Sequence, residues 1–286
     1  LAPDGSRVAA LGSVGSGDAV VVIHVSEPRR RIDTIALAPG QRVEWIGWAG
    51  SGRVILSLAG AEARTRFAAL DVATGRQAPI GPVLQGGEGD RVIHIDPAGK
   101  FLLLSAQAAK RESPSVFRVD LATGESTRIV APQPDVWDWY ADSAGVVRAG
   151  VGSRGDRRWL LYRAADGQLF RRATGRQPGG VEGSGADQLV PVAGSDQGYA
   201  IAGAATGRYA LFRYDFAADR LGALVYENPS VDLDGMRTSP EGALLGVTYT
   251  DDREVTLWFD PRVAALQARI DRALPGATNR ILSMSS

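Results

Sequence analysis

A turn ending in glycine and running into an apolar strand recurs along this chain at nearly constant spacing. It reads APDGSRVAAL at 2–11, GSGRVILSL at 50–58, DPAGKFLLLS at 96–105, ADSAGVVRAGV at 141–151, GSDQGYAIAG at 194–203 and SPEGALLGVTY at 239–249. The landmark glycines Gly5, Gly52, Gly99, Gly145, Gly198 and Gly242 lie 47, 47, 46, 53 and 44 residues apart. A second landmark follows just over twenty residues later, an apolar strand entering a tight turn. It reads FAALDVATGR at 67–76, FRVDLATGES at 117–126, LLYRAADGQL at 160–169 and LFRYDFAADR at 211–220. In the Asp-x-Ala-Thr-Gly form, Asp can bond its own backbone and Gly accepts positive φ.

Each repeat reads as four short strands. In the third they are Arg91–Ile95, Phe101–Ala106, Val116–Leu121 and Ser126–Val130. Runs such as RVILSL and FLLLSA are apolar on both faces, as strands sandwiched between neighbouring sheets must be. A single sheet of this kind cannot bury both faces, whereas radial stacking of like units does so and hides most edges. Four antiparallel strands repeating every ~40–50 residues point to an all-β fold, a β-propeller of four-stranded blades. A sandwich or barrel leaves the regular spacing unexplained.

The sequence starts at the end of a first strand and stops within another. Five complete and two partial blades are therefore expected in one propeller domain over 1–286, as from a cut seven-bladed ring. Alternatively, a strand at 279–285 closes against strands near 7–13, 19–25 and 31–37, giving six. One segment breaks the pattern. After Asp260, where a fourth strand is due, PRVAALQARIDRALPG predicts a helix of 13 residues or so near 261–274. Asp260 suits the N-cap, Pro261 the first turn and Pro275-Gly276 the stop. Val263, Leu266, Ile270 and Leu274 share one face.

Composition removes several function classes. Lys plus Arg equals Asp plus Glu at 32 each, so the field expected of a nucleic-acid binder is missing. There is no Cys, which excludes disulfides, thiolate metal sites and a cysteine nucleophile. With His24 and His94 the only two histidines, no His-rich metal centre is expected. No apolar run reaches 18 residues, so no transmembrane helix is expected. Gly is abundant at 35 residues, which suits many tight turns. Basic residues are nearly all Arg, which together with abundant Ala and Gly reflects a GC-rich genome rather than an activity.

No Gly-x-Ser-x-Gly nucleophile elbow is present. The near misses Gly183-Ser184-Gly185 and Gly152-Ser153 lack the spacing. Gly12-Ser-Val-Gly-Ser-Gly17 lacks the Lys-Ser/Thr of a phosphate loop and reads as a hairpin. Asp232-Leu-Asp-Gly235 lacks the later ligands of a calcium loop and reads as entry to a blade. Glu27-Pro-Arg-Arg-Arg-Ile32 reads as a solvated turn. The aromatic first-strand segments Val43-Glu-Trp-Ile-Gly-Trp48 and Val136-Trp-Asp-Trp-Tyr-Ala-Asp142 mainly suit packing between blades. Alternation also turns some of their side chains toward a channel. Glu44, His94, Asp138 and Asp232 are the candidate channel-facing, substrate-touching residues. No metal site or cofactor is implied.

The APDG and SPEG turns, the DVATG and DLATGES turns and PDVWDWYADSAGVVRAGV resemble one group of proteins. So, more specifically, does the stretch from Tyr226 to Ser286 with its helix in place of a strand. The group is the bacterial prolyl oligopeptidase family of serine peptidases, including dipeptidyl- and acylaminoacyl-peptidase-like enzymes. The resemblance covers nearly the whole chain and is to the N-terminal propeller. It implies a C-terminal α/β-hydrolase domain in the same protein, carrying Ser, Asp and His. The propeller would gate and help wall a cavity that hydrolyses peptide or isopeptide bonds. None of the catalytic residues lies in this sequence, so the chain alone is not expected to be an enzyme. Relatives are often exported, which leans toward the periplasm. The expected partners are the hydrolase domain and peptide, with no nucleic acid and no membrane. The alternatives are a stand-alone binding scaffold and a propeller enzyme with its own channel chemistry.

Overall fold

The computed structural model describes residues 1–27, 31–59, 65–82, 91–109, 112–173 and 185–285. Residues 28–30 of the basic turn and Gly183 and Ser184 of one near miss lie outside the described residues. Among the described residues six sheets follow one another, each a meander. The first holds β1 (Arg7–Val14), β2 (Gly17–His24) and β3 (Ile32–Ala36). The second holds β4 (Arg42–Ala49), β5 (Arg53–Ala59), β6 (Thr65–Asp71) and β7 (Gln77–Pro79). The third holds β8 (Arg91–Ile95), β9 (Phe101–Ala106), β10 (Ser115–Asp120) and β11 (Ser126–Val130). The fourth holds β12 (Val136–Ala141), β13 (Val147–Arg154), β14 (Arg157–Tyr162) and β15 (Arg171–Arg172). The fifth holds β16 (Gln188–Pro191), β17 (Gln197–Gly203), β18 (Tyr209–Asp215) and β19 (Arg220–Tyr226). The sixth holds β20 (Leu233–Thr238), β21 (Leu244–Thr250) and β22 (Glu254–Trp258), and the helix α1 (Pro261–Ala273) follows it.

The chain divides into two compact units, 1–138 with 283–286, and 139–282. In the first unit, the second strand of a sheet is sandwiched as its sequence requires. Val54, Leu56 and Leu58 of β5 pack with Val20 and Val22, while Ile55 packs with Leu102 and Leu104. Alternate residues of one strand thus serve two cores, and full burial of each such side chain contributes about 1.5–3 kcal/mol. The second unit repeats the arrangement on β17. Ala200 and Ala202 pack with Val151, Leu160 and Tyr162, while Tyr199 and Ile201 pack with Leu233 and Val247.

The turns follow the sequence pattern. The Asp71 carboxylate accepts from the Ala73 and Thr74 amides and the Thr74 hydroxyl, and Gly75 takes φ +69°. Asp120 and Gly124 repeat this with Ala122 and Thr123. In the fifth sheet Asp219 occupies the glycine position at φ +49°, where its carboxylate receives the Tyr214 hydroxyl. The Gly12–Gly17 segment is the β1–β2 hairpin, with Val14 opposite Gly17.

Asp260 caps α1 by accepting from the Arg262 and Val263 amides. Only Val263 of the expected apolar face is buried, whereas Leu266 and Leu274 are exposed. Residues 278–285 form no strand, unlike the closing strand the sequence allows. Asn279 is tied to the helix: Gln267 donates to the Asn279 carbonyl, and Asn279 donates to Asp271 and to the Leu274 carbonyl. Ser283 instead receives the amino group of Leu1 at 2.7 Å.

Candidate functional site

Glu44, His94 and Asp138 lie on first strands and Asp232 just before one, and three of the first strands pair irregularly. The register slips between Val43 and Trp45 in β4, between Val92 and His94 in β8, and between Leu233 and Gly235 in β20. Each slip is a bulge that leaves one residue without a cross-strand partner, which bends the strand and re-aims its side chains. In β4 the extra residue is Glu44, and in β20 it is Asp234. Both carboxylates are exposed, and each accepts from a hydroxyl on the adjacent strand. Ser57 donates to Glu44 at 2.8 Å and Thr250 to Asp234 at 2.7 Å.

The four residues singled out from sequence take four separate partners. Glu44 takes Ser57. His94 is half-buried on β8, its ring 5.6 Å from that of Phe101, over which the Arg118 guanidinium also lies at 3.4 Å. Asp138 of β12 pairs with Arg91 of β8 at 3.4 Å, both belonging to the first unit. With side chains 39% and 44% exposed, that pair contributes at most about 1 kcal/mol. Asp232 lies just before β20 and accepts the Tyr209 amide at 2.7 Å, tying the fifth sheet to the sixth. Among the described residues no three His, Asp or Glu are grouped to hold a metal ion. Among them, too, no helix is long and apolar enough to cross a membrane.

The second unit holds a buried polar network that no sequence motif marks. Arg148 of β13 and Asp142 are 2% and 3% exposed and pair at 3.1 Å. The Arg148 guanidinium also donates to the Arg163 carbonyl, the Tyr162 hydroxyl and the Ser195 carbonyl. Tyr162 donates in turn to Asp196. Burial opposes the charge on Arg148, but the Tyr162 and Asp142 oxygens hold its pKa above the usual value. Burial, aided by Asp196, raises the pKa of the Tyr162 hydroxyl. All three guanidinium nitrogens of Arg148 donate, so this network is a staple between the fourth and fifth sheets. Its signal was a lone Arg inside the apolar run VVRAGV.

No protein-family model matches the chain, and no curated protein matches it. Solved structures do. A prolyl endopeptidase superposes with a TM-score of 0.61 at 14% identity, the match covering 86% of this chain and 38% of that one. The dihydro-heme d1 dehydrogenase NirN gives 0.52 at 13%, over 91% and 54%. TolB from Acinetobacter baumannii gives 0.50 at 15%, over 91% and 63%. The fold is a β-propeller. At these identities the likeness extends to the fold alone, and the six sheets are its blades. The chain spans less than two thirds of the length of each of these proteins.

Proposed function

We propose that this chain is the non-catalytic propeller of a serine peptidase of the prolyl oligopeptidase type. Residues 1–286 then act as one propeller domain that restricts access to, and helps wall, the active site of an α/β-hydrolase domain. The observation that carries the reading is the match to the prolyl endopeptidase. It has the highest TM-score of the three neighbours and covers most of this chain but only 38% of the enzyme. That proportion suits a propeller that is one part of a two-domain peptidase. The first strands supply polar and aromatic groups suited to holding peptide, without a nucleophile of their own.

The test is the coding sequence downstream of Ser286, followed by an assay of the whole protein. A Gly-x-Ser-x-Gly motif with Asp and then His beyond it, and labelling of that Ser by a fluorophosphonate, are expected. A stop codon soon after Ser286 refutes the peptidase reading. That result leaves the second reading, a stand-alone binding scaffold.

A further inference from the structure

We infer that Glu44 and Trp45 together form a recognition site for a cationic side chain, guanidinium above all, of a bound peptide. The inference rests on the reading of the first strands as walls of a peptide-holding cavity, and it names a chemical class for one part of that wall.

Two consecutive residues of a regular strand point to opposite faces. The bulge in β4 removes that constraint. Trp45 stands opposite Ser57 in the register, and Glu44 reaches the hydroxyl of the same Ser57. Carboxylate and indole are thereby brought to one face. Both stay open to solvent, Glu44 being exposed and Trp45 36% exposed. Both are also held in place. Ser57 is 1% exposed, so its hydroxyl is a fixed donor that orients the carboxylate. The Trp45 ring lies 6.2 Å from that of Phe67 and rests over Gly47. A methyl group at Gly47 would stand 3.3 Å from the ring.

The charge arrangement points to the occupant. In the same unit Asp33 pairs with Arg31 and Asp138 with Arg91, while Asp71 and Asp120 are each held by three neutral donors of their own turns. Among the described residues Glu44 has only the neutral Ser57 as a polar partner. A guanidinium matches both halves of the site. Its N–H fork suits a carboxylate, and its flat face stacks on an indole. A lysine ammonium meets the same two groups as a point charge. Asp234 repeats the bulge and the hydroxyl support, but Gly235 follows it where Trp45 follows Glu44. The aromatic half is therefore specific to β4.

The test uses the 286-residue chain and two capped peptides, acetyl-Gly-Ala-Arg-Ala-Gly-amide and the same peptide with citrulline for Arg. The caps remove the terminal charges, so only the side chain differs. The indole N–H resonance of Trp45, assigned by its loss in Trp45→Phe, is followed by NMR. The Arg peptide should shift it saturably. Citrulline, or Glu44→Gln with the Arg peptide, should weaken binding by roughly tenfold, the scale of one charged contact backed by an aromatic face. Raised salt should weaken the Arg peptide alone. If both peptides perturb first-strand resonances equally and Glu44→Gln changes nothing, the cation site is wrong and the peptide-wall reading stands. If neither peptide perturbs any first strand, both fail.

Discussion

Replacing Arg148 by Met tests the buried network most directly. The substitution nearly conserves volume and removes four donated hydrogen bonds, to Asp142, Tyr162 and the carbonyls of Arg163 and Ser195. Asp142 keeps two backbone donors, from Ala144 and Val146, but its charge stays buried without a cation. Breaking a buried pair in this way costs about 3–5 kcal/mol, a large fraction of the ~5–15 kcal/mol that holds a domain together. Replacing both partners behaves differently, because a buried pair offsets its own desolvation cost only in part. Asn at position 142 can keep the backbone bonds without the charge. The double variant Asp142→Asn/Arg148→Met should therefore recover at least about 1–2 kcal/mol of the loss. Urea unfolding gives both numbers, with the slope m checking that the compared transitions are the same. If Arg148→Met loses less than about 1 kcal/mol, or the double variant is no better than the single, the staple is misread.

Gly150→Ala places a methyl 2.5 Å from the ring of Trp139, which is fully buried, and should destabilise by about 1–3 kcal/mol. Gly203→Ala, with open space around it, should stay within about 0.5 kcal/mol by the same unfolding assay. Asp219→Gly restores the residue that positive φ prefers but removes the acceptor of the Tyr214 hydroxyl, so a net loss of about 1 kcal/mol is expected. Adding Tyr214→Phe should return that loss. The turn amides hold the carboxyls of Asp71 and Asp120 below the ordinary carboxylate pKa, first through Thr74 and Thr123 respectively. Their stabilisation is complete above the unfolded value of about 4 and is lost as pH falls through the lowered folded values. Asp71→Asn/Asp120→Asn should flatten the fall in urea midpoint across that acid limb while leaving the fold intact.

The repeat was legible because each of its parts is a local rule. Gly75 and Gly124 mark turns that need positive φ, and Val54 to Leu58 mark a strand buried on both faces. The four strands read at 91–130 agree with the structure, apart from a one-residue shift of the third to Ser115–Asp120. The cap of α1 at Asp260 was equally local. What stayed hidden depends on pairing at a distance. Arg148 looks like an intrusion into an apolar strand until Tyr162 and the Ser195 carbonyl, contributed by other strands and turns, are placed beside it. Residues 278–285 form no strand, and Asn279 is held instead by Gln267 and Asp271 of the helix.

Glu44 shows why such a site can be named from sequence yet not understood from it. An alternating strand predicts that Glu44 and Trp45 diverge, one toward a channel and the other between blades. The slip between Val43 and Trp45 reverses that geometry. Its trace in the sequence is slight: one hydroxyl, Ser57, within the apolar stretch VILSL at 54–58. The Ser57 hydroxyl is buried, and the bulge turns the Glu44 carboxylate toward it. Ser57→Ala should then leave the fold standing while releasing Glu44 from its orientation. In the peptide titration it should weaken the Arg peptide and leave the citrulline peptide unchanged. If Ser57→Ala weakens both alike, the hydroxyl supports the sheet rather than the carboxylate, and Glu44 is an ordinary surface acid.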